Sequence, residues 1–327
     1  MSRLRLTLAC GDYEIVRAIK EGTVRPDGID LNVLTDMDST TRHWRFLRNR
    51  EFDVCELSAS SYLVAHDQGL PIDAIPVFLH RRFRHGFVFV NKKAGIAKPA
   101  DLIGKRVGIK HWQVTAILWM RGILEHEYGV PHRKLKWFQE MDQDVEVELP
   151  SDIDLSVLPD GSDVAEMLAE GELDAVIHST IIEPIVRGDD RVGRLFPDYK
   201  AEEVAFYRKT GMFPIMHVTG IKREILEENP WVATNLQRAF DQSKAIAMKR
   251  MINPRIVPLA WYMEQWEDER ALLGPDPWEY GLTEQNRKTL ENMIGYSHEQ
   301  GLIGKKPAVD DLFVENFQGR GRGGFQI

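Results

Sequence analysis

Short alternating runs of apolar and polar residues, separated by stretches with helical spacing, follow one another along most of the chain. Residues 4–10 alternate as a strand that ends at Gly11-Asp12, and Ile15, Val16, Ala18 and Ile19 then carry a helical stripe that stops near Gly22. Residues 29–34 alternate again. A helix follows, which Ser39 or Thr40 can cap; Trp44, Phe46 and Leu47 supply its buried stripe. Arg42, Arg45 and Arg48 share another face, which reads as solvated. Residues 52–57 make a third strand, and Ser58-Ala59-Ser60-Ser61-Tyr62 opens the next helix.

A second α/β unit begins after residues 87–90. A turn and helix start at Pro99-Ala100-Asp101-Leu102 lead to a strand at 106–109, and a helix over 114–128 is opened by His111-Trp112-Gln113 and closed at Gly129. Residues 161–171 give a short helix and 173–178 a strand, while the acidic stretch 142–159 has no clear period and reads as irregular surface. Beyond residue 221 the pattern is helical, with Pro230 in the tolerated first turn of a helix that runs to residue 251. Gly319 to Gly324 is rich in glycine and arginine and reads as a loose tail. Alternating strands and helices predict mainly parallel sheets, whose ligands collect beyond the carboxyl ends of the strands. Three such ends are Asp12, Ser58 to Ser61, and the loop after residue 79.

Composition narrows the function classes. At 327 residues and 43% hydrophobic content the chain has enough material for about two domains. A formal charge of -8 argues against a general nucleic-acid or membrane-surface role, since both rely on many cationic contacts. Any anion site must be a local basic pocket. The two cysteines, Cys10 and Cys55, sit in apolar runs as small buried thiols. Residues 1–5 enter the first strand without an apolar signal region, so the expected location is the cytoplasm. No Walker loop, no GxGxxG after a strand, no HExxH and no CxxC is present, which leaves nucleotide, nicotinamide and structural-zinc readings without support.

Several phrases together resemble the 4,5-dihydroxyphthalate decarboxylase family of the type II periplasmic-binding-protein superfamily. They include Cys10-Gly11-Asp12-Tyr13, Leu57-Ser58-Ala59-Ser60-Ser61-Tyr62, Phe83-Arg84-His85, Gln113-Val114-Thr115-Ala116 and Arg121-Gly122-Ile123-Leu124. Thr210-Gly211-Met212-Phe213-Pro214-Ile215-Met216-His217 and Tyr296-Ser297-His298-Glu299-Gln300-Gly301-Leu302 extend the match over nearly the whole chain. The resemblance implies a two-lobed α/β fold with mainly parallel sheets flanked by helices and a ligand cleft between the lobes. Lobe one would be residues 1–88 plus 216–327, and lobe two the inserted residues 89–215. Crossing segments would lie near residues 86–90 and 212–218. Gly86, His111 and His178 depart from the family pattern as a serine, an acidic residue and an arginine-containing segment would stand there.

The implied activity is decarboxylation of a hydroxylated aromatic dicarboxylate such as 4,5-dihydroxyphthalate, giving a protocatechuate-like product and carbon dioxide. Ring protonation assisted by a ring hydroxyl needs no electron-sink cofactor in principle; it needs cations for the carboxylates, an acid near the ring and exclusion of water. Arg81 and Arg84 suit the carboxylate clamp, with Arg82 pointing away; the alternative is a basic surface loop. His85 and His217 are candidates for proton donor or hydroxyl partner; a lone histidine is more often structural, and His217 gains weight from lying on a crossing segment. Asp12, Ser58, Ser60, Ser61, Gln113, Thr115, His111 and His178 are candidate substrate contacts, though capping alone explains several of them. A divalent metal held by His111, His178, Glu183 and His217 is the alternative to a cofactor-free enzyme. A homo-oligomer is the expected assembly. The rival function is a solute-binding protein that captures a small aromatic or organic anion without turnover.

Overall fold

The computed structural model describes residues 3–315, so the Gly319 to Gly324 segment lies outside the described residues. Its strands are β1 (Leu4–Ala9), β2 (Ile29–Leu34), β3 (Val54–Ser58), β4 (Ile72–Ile75), β5 (Val88–Asn91), β6 (Arg106–Ile109), β7 (Lys136–Gln139), β8 (Leu155–Val157), β9 (Ala175–Ile177), β10 (Val192–Arg194) and β11 (His217–Lys222). They form one sheet ordered β2-β1-β3-β11-β4 and another ordered β10-β5-β9-β6-β7-β8. Both sheets are mixed. β11 runs antiparallel to both its neighbours, and β5 does the same in the second sheet, while β1 to β3 and β6 to β9 pair in parallel.

The chain divides into two compact units. Unit 1 comprises the residues up to Arg81, His217–Leu290 and those from Pro307 onward; unit 2 comprises Arg82–Met216 and Glu291–Lys306. Residues 82–88, 216 and 291–306 therefore fall in unit 2 rather than in the expected first lobe. Pairing and packing explain this. Arg82 donates its backbone N–H to Pro214, and Val88 pairs with Ile177 in the β5–β9 ladder. Tyr296 packs edge-on against Trp119, and the Gln300 side chain accepts a hydrogen bond from the Arg121 guanidinium.

In unit 1 the apolar positions of β1 (Leu6 and Leu8) join Ile15, Val16, Ile29, Val54, Ile221 and Phe240 in one core. The Trp231–Met251 helix lays its buried stripe, including Val232, Leu236 and Phe240, on that core. In unit 2 Phe89, Val164, Leu168, Leu173 and Val176 make the corresponding cluster. Gly129, in the left-handed region at φ 67°, ends the Thr115–Tyr128 helix as its sequence position implies. The acidic 142–159 stretch is not merely irregular surface. It contains β8, and Val145 is buried where Gln113 exchanges hydrogen bonds with its backbone.

Candidate active site

A carboxylate in the middle of an apolar strand cannot stay charged without partners, because burial without compensation is costly. Glu56 of β3 is such a residue, and it is fully buried. Four donors meet it: the Gly11 backbone N–H at 2.7 Å, the Tyr13 hydroxyl at 2.9 Å, the Arg42 guanidinium at 2.8 Å and His217 Nδ1 at 2.6 Å. Burial works to raise its pKa, but the charge and hydrogen bond of His217, then Arg42 and the Gly11 amide, outweigh it and hold the carboxyl well below the usual carboxylate range. Glu56 is therefore ionised and can only accept.

Strand register brings His217 to it. β11 pairs with β3 so that His217 stands opposite Ser58 and Thr219 opposite Glu56, which makes His217 and Glu56 diagonal neighbours on one face. Since Glu56 is an acceptor, Nδ1 of His217 carries the proton in their bond, and Nε2 is left for other chemistry. The imidazole is also held edge-on by two further rings, His43 at 4.9 Å and His80 at 4.8 Å between centroids. Arg42 and Glu56 side chains are 2% and 0% exposed, whereas that of His217 is 11% exposed, so the imidazole is the member of this ion-paired set that reaches solvent.

The Ser39–Asn49 helix overturns one expectation. Its inward face is Arg42, His43, Phe46 and Leu47, while Trp44, expected inside, is 42% exposed. Arg42 turns in because the Glu56 carboxylate and the Glu56 and Met37 carbonyls satisfy its donors.

Other candidates are dispersed. Asp12 is exposed and paired with Lys20 at 2.9 Å, so it faces water while its neighbours Gly11 and Tyr13 serve Glu56. Ser58 caps the Ala59–Asp67 helix by accepting from the Ser61 N–H, and Ser60 and Ser61 are buried within that helix. Arg81 is buried in unit 1, where it donates to the Glu279 carbonyl and Asn286; burial pulls its pKa down to about 10.

In unit 2, Arg84 is buried and donates to the Ser179 carbonyl at 2.8 Å and Met216 Sδ at 3.1 Å, above the Phe87 ring. No carboxylate pairs with it among the described residues. Burial, with some help from Arg82, pushes it down to about 9. Arg82 is exposed. His85 is fully enclosed by the Phe196, Phe206 and Tyr128 rings with neither ring nitrogen hydrogen-bonded, and burial pushes it down to about 4. Burial of this kind favours the neutral imidazole, which lacks the acidic imidazolium proton.

Gln113 is bound through both ends of its amide to Val145, and Thr115 is buried in the first turn of the Thr115–Tyr128 helix. His111 bonds Gln143 at 3.2 Å, and His178 folds its Nδ1 back onto the Thr180 N–H; burial lowers both pKa values. Glu183 is exposed at the start of the Glu183–Val186 turn. Among the described residues no group of three His, Cys, Asp or Glu side chains is placed to hold a metal ion. Gly86 has its own reason to lack a side chain, since a Cβ there would come within 2.9 Å of the Tyr199 ring.

Two α/β units, each on a mixed sheet with a reversed strand, define the class: this is a periplasmic-binding-protein fold. A solved example is the periplasmic aliphatic sulphonate binding protein SsuA from Escherichia coli, with a TM-score of 0.56 and 14% identity over 97% of this chain and 99% of that one. The family described as NMT1/THI5 like matches residues 14–136. A 4,5-dihydroxyphthalate decarboxylase from Comamonas testosteroni is 35% identical over 322 residues, 96% of this chain and 97% of its own. One from Pseudomonas putida is 34% identical over 215 residues, 64% of this chain and 83% of its own. The chain belongs to the 4,5-dihydroxyphthalate decarboxylase family.

Proposed function

We propose that this protein is a carboxy-lyase that removes one carboxylate, as carbon dioxide, from a hydroxylated aromatic dicarboxylate such as 4,5-dihydroxyphthalate. The observation that carries the reading is the His217–Glu56–Arg42 chain, a histidine oriented by an ionised buried carboxylate, in a chain so similar to relatives of that name. His217 delivers a proton from Nε2 to the ring carbon that bears the carboxylate. The ring hydroxyl releases electron density as this carbon becomes tetrahedral; the carbon–carbon bond then breaks, its electron pair restores the aromatic ring, and carbon dioxide leaves. His217 takes a proton from solvent to reset. The charge it carries as an acid is balanced by Glu56, which Arg42 and the Gly11 N–H in turn hold ionised.

In unit 2 the group proposed to hold an anion is Arg84, a buried guanidinium that forms no ion pair among the described residues, with Glu203 of its unit acting on it only from a distance. Replacing it with methionine, of similar reach, removes a buried charge. Folding stability is therefore expected to be unchanged or slightly higher in a urea melt, while KM rises about 10- to 100-fold, the loss of roughly 1.5–3 kcal/mol typical of a hydrogen bond to a charged group. A marked loss of stability with unchanged KM would make Arg84 a packing residue.

No electron-sink cofactor is required by this chemistry, and we propose that none, and no metal, takes part. No helix among the described residues is long and apolar enough to cross a membrane. The two free, buried thiols suit a reducing compartment such as the cytoplasm. The deciding measurement is incubation with 4,5-dihydroxyphthalate, following carbon dioxide and the ultraviolet spectrum of the product, before and after exhaustive chelation. Turnover that survives chelation is expected. Tight binding without carbon dioxide would instead make the protein a solute binder, and activity lost to chelation would reinstate a metal.

A further inference from the structure

The Tyr262–Leu273 helix buries none of its residues. Of its half-buried residues, Tyr262, Met263, Trp266, Arg270 and Leu273 share one face; a helix this short and lightly packed is marginal in water by itself. The segment leading into it carries large apolar side chains in solvent: Trp261 is 71% exposed, Leu259 58% and Ile252 55%. On the helix itself Trp266 lies under the Arg270 guanidinium at 4.6 Å, and Tyr262 and Met263 are only half-buried. An exposed tryptophan beside exposed aliphatic side chains, flanked by half-buried Tyr262, Met263 and Trp266, has the composition of an interface patch.

Charge indicates what covers it. Lys249 and Arg255 are exposed at the start of the segment, and Glu264 and Glu267 are exposed one turn apart on the helix. A twofold axis through the Trp261 region lays the basic start of one copy along the acidic helix of the other, and the reverse, with the tryptophans between them. We propose that this segment is a self-complementary interface through which two copies of the chain associate. It supplies a surface for the association expected from the sequence, and it does not depend on which reaction the protein catalyses.

Sedimentation equilibrium of the full chain tests it. The wild type is expected at twice the monomer mass or an even multiple, and Trp261→Glu should raise the dissociation constant at least about 30-fold, the size of a hot-spot loss. Glu264→Lys with Glu267→Lys should also weaken association, and adding Lys249→Glu with Arg255→Glu should restore it, which a merely misfolded variant would not do. A monomeric wild type, unchanged mass in the folded variants, or no restoration by the charge exchange would overturn the proposal.

Discussion

Replacing His217 with alanine is expected to lower kcat by about 10²- to 10⁴-fold, the usual contribution of a positioned acid, with KM changed by less than about threefold. The split follows from geometry. The imidazole donates Nδ1–H to Glu56 and has Nε2 left over, so what the substitution removes is a proton delivered in the transition state and not a group that grips the ground state. Added imidazole should restore part of the rate in the variant. Steady-state kinetics on a variant shown to be folded by circular dichroism decide the matter: a kcat within tenfold of wild type would remove His217 from the acid's role. His80 and His43, which pack on the same ring, are expected to show smaller effects.

Glu56→Gln keeps the shape of the side chain and deletes its charge. Arg42 is then buried beside a neutral amide, and breaking a buried pair in this way costs about 3–5 kcal/mol. Because the wild-type carboxyl is held below its ordinary range in the folded protein, its contribution has a definite sign with pH. The unfolded state takes up the proton first, near pH ~4.3. The stability that Glu56 contributes is thus fully present above that value and is lost as pH falls toward the folded-state pKa. Urea melts from neutral to acid pH should show a constant gap between wild type and variant that narrows below about pH 4. A gap that does not change with pH would show that the carboxylate charge is not what holds this cluster together. The same substitution should lower kcat as well, since the glutamine amide no longer balances the charge on His217.

Much of the fold was legible because the information was local. Alternation over residues 29–34, the helix ended by Gly129, and the helix from Trp231 to Met251 each depend on neighbours within a few positions, and each stands where the pattern puts it. His217 stands in a phrase specific to the family, and the fold sets it against Glu56. The rest of its cluster was missed although two signals were present. Glu56 lies between Cys55 and Leu57, and a carboxylate in a buried strand asks for a counter-charge. Phe46 and Leu47 form a buried stripe, and one turn earlier on that face stand Arg42 and His43. An arginine row with i+3 spacing looks solvated until a buried carboxylate is known to wait beneath it.

Other candidates have local partners that their positions already allowed. Asp12, Ser58 and Gln113 sit at strand or helix ends, where a polar residue equally serves solvent, a cap or a neighbouring loop, and here they do those things. Local pattern was enough for the strands, helices and caps, because their energetics involve residues a few positions apart. The partners of Glu56, by contrast, come from positions 11, 13, 42 and 217, brought together by the β3–β11 register and the packing of one helix on it. Which buried charges meet is a long-range electrostatic outcome, settled when the chain folds on itself.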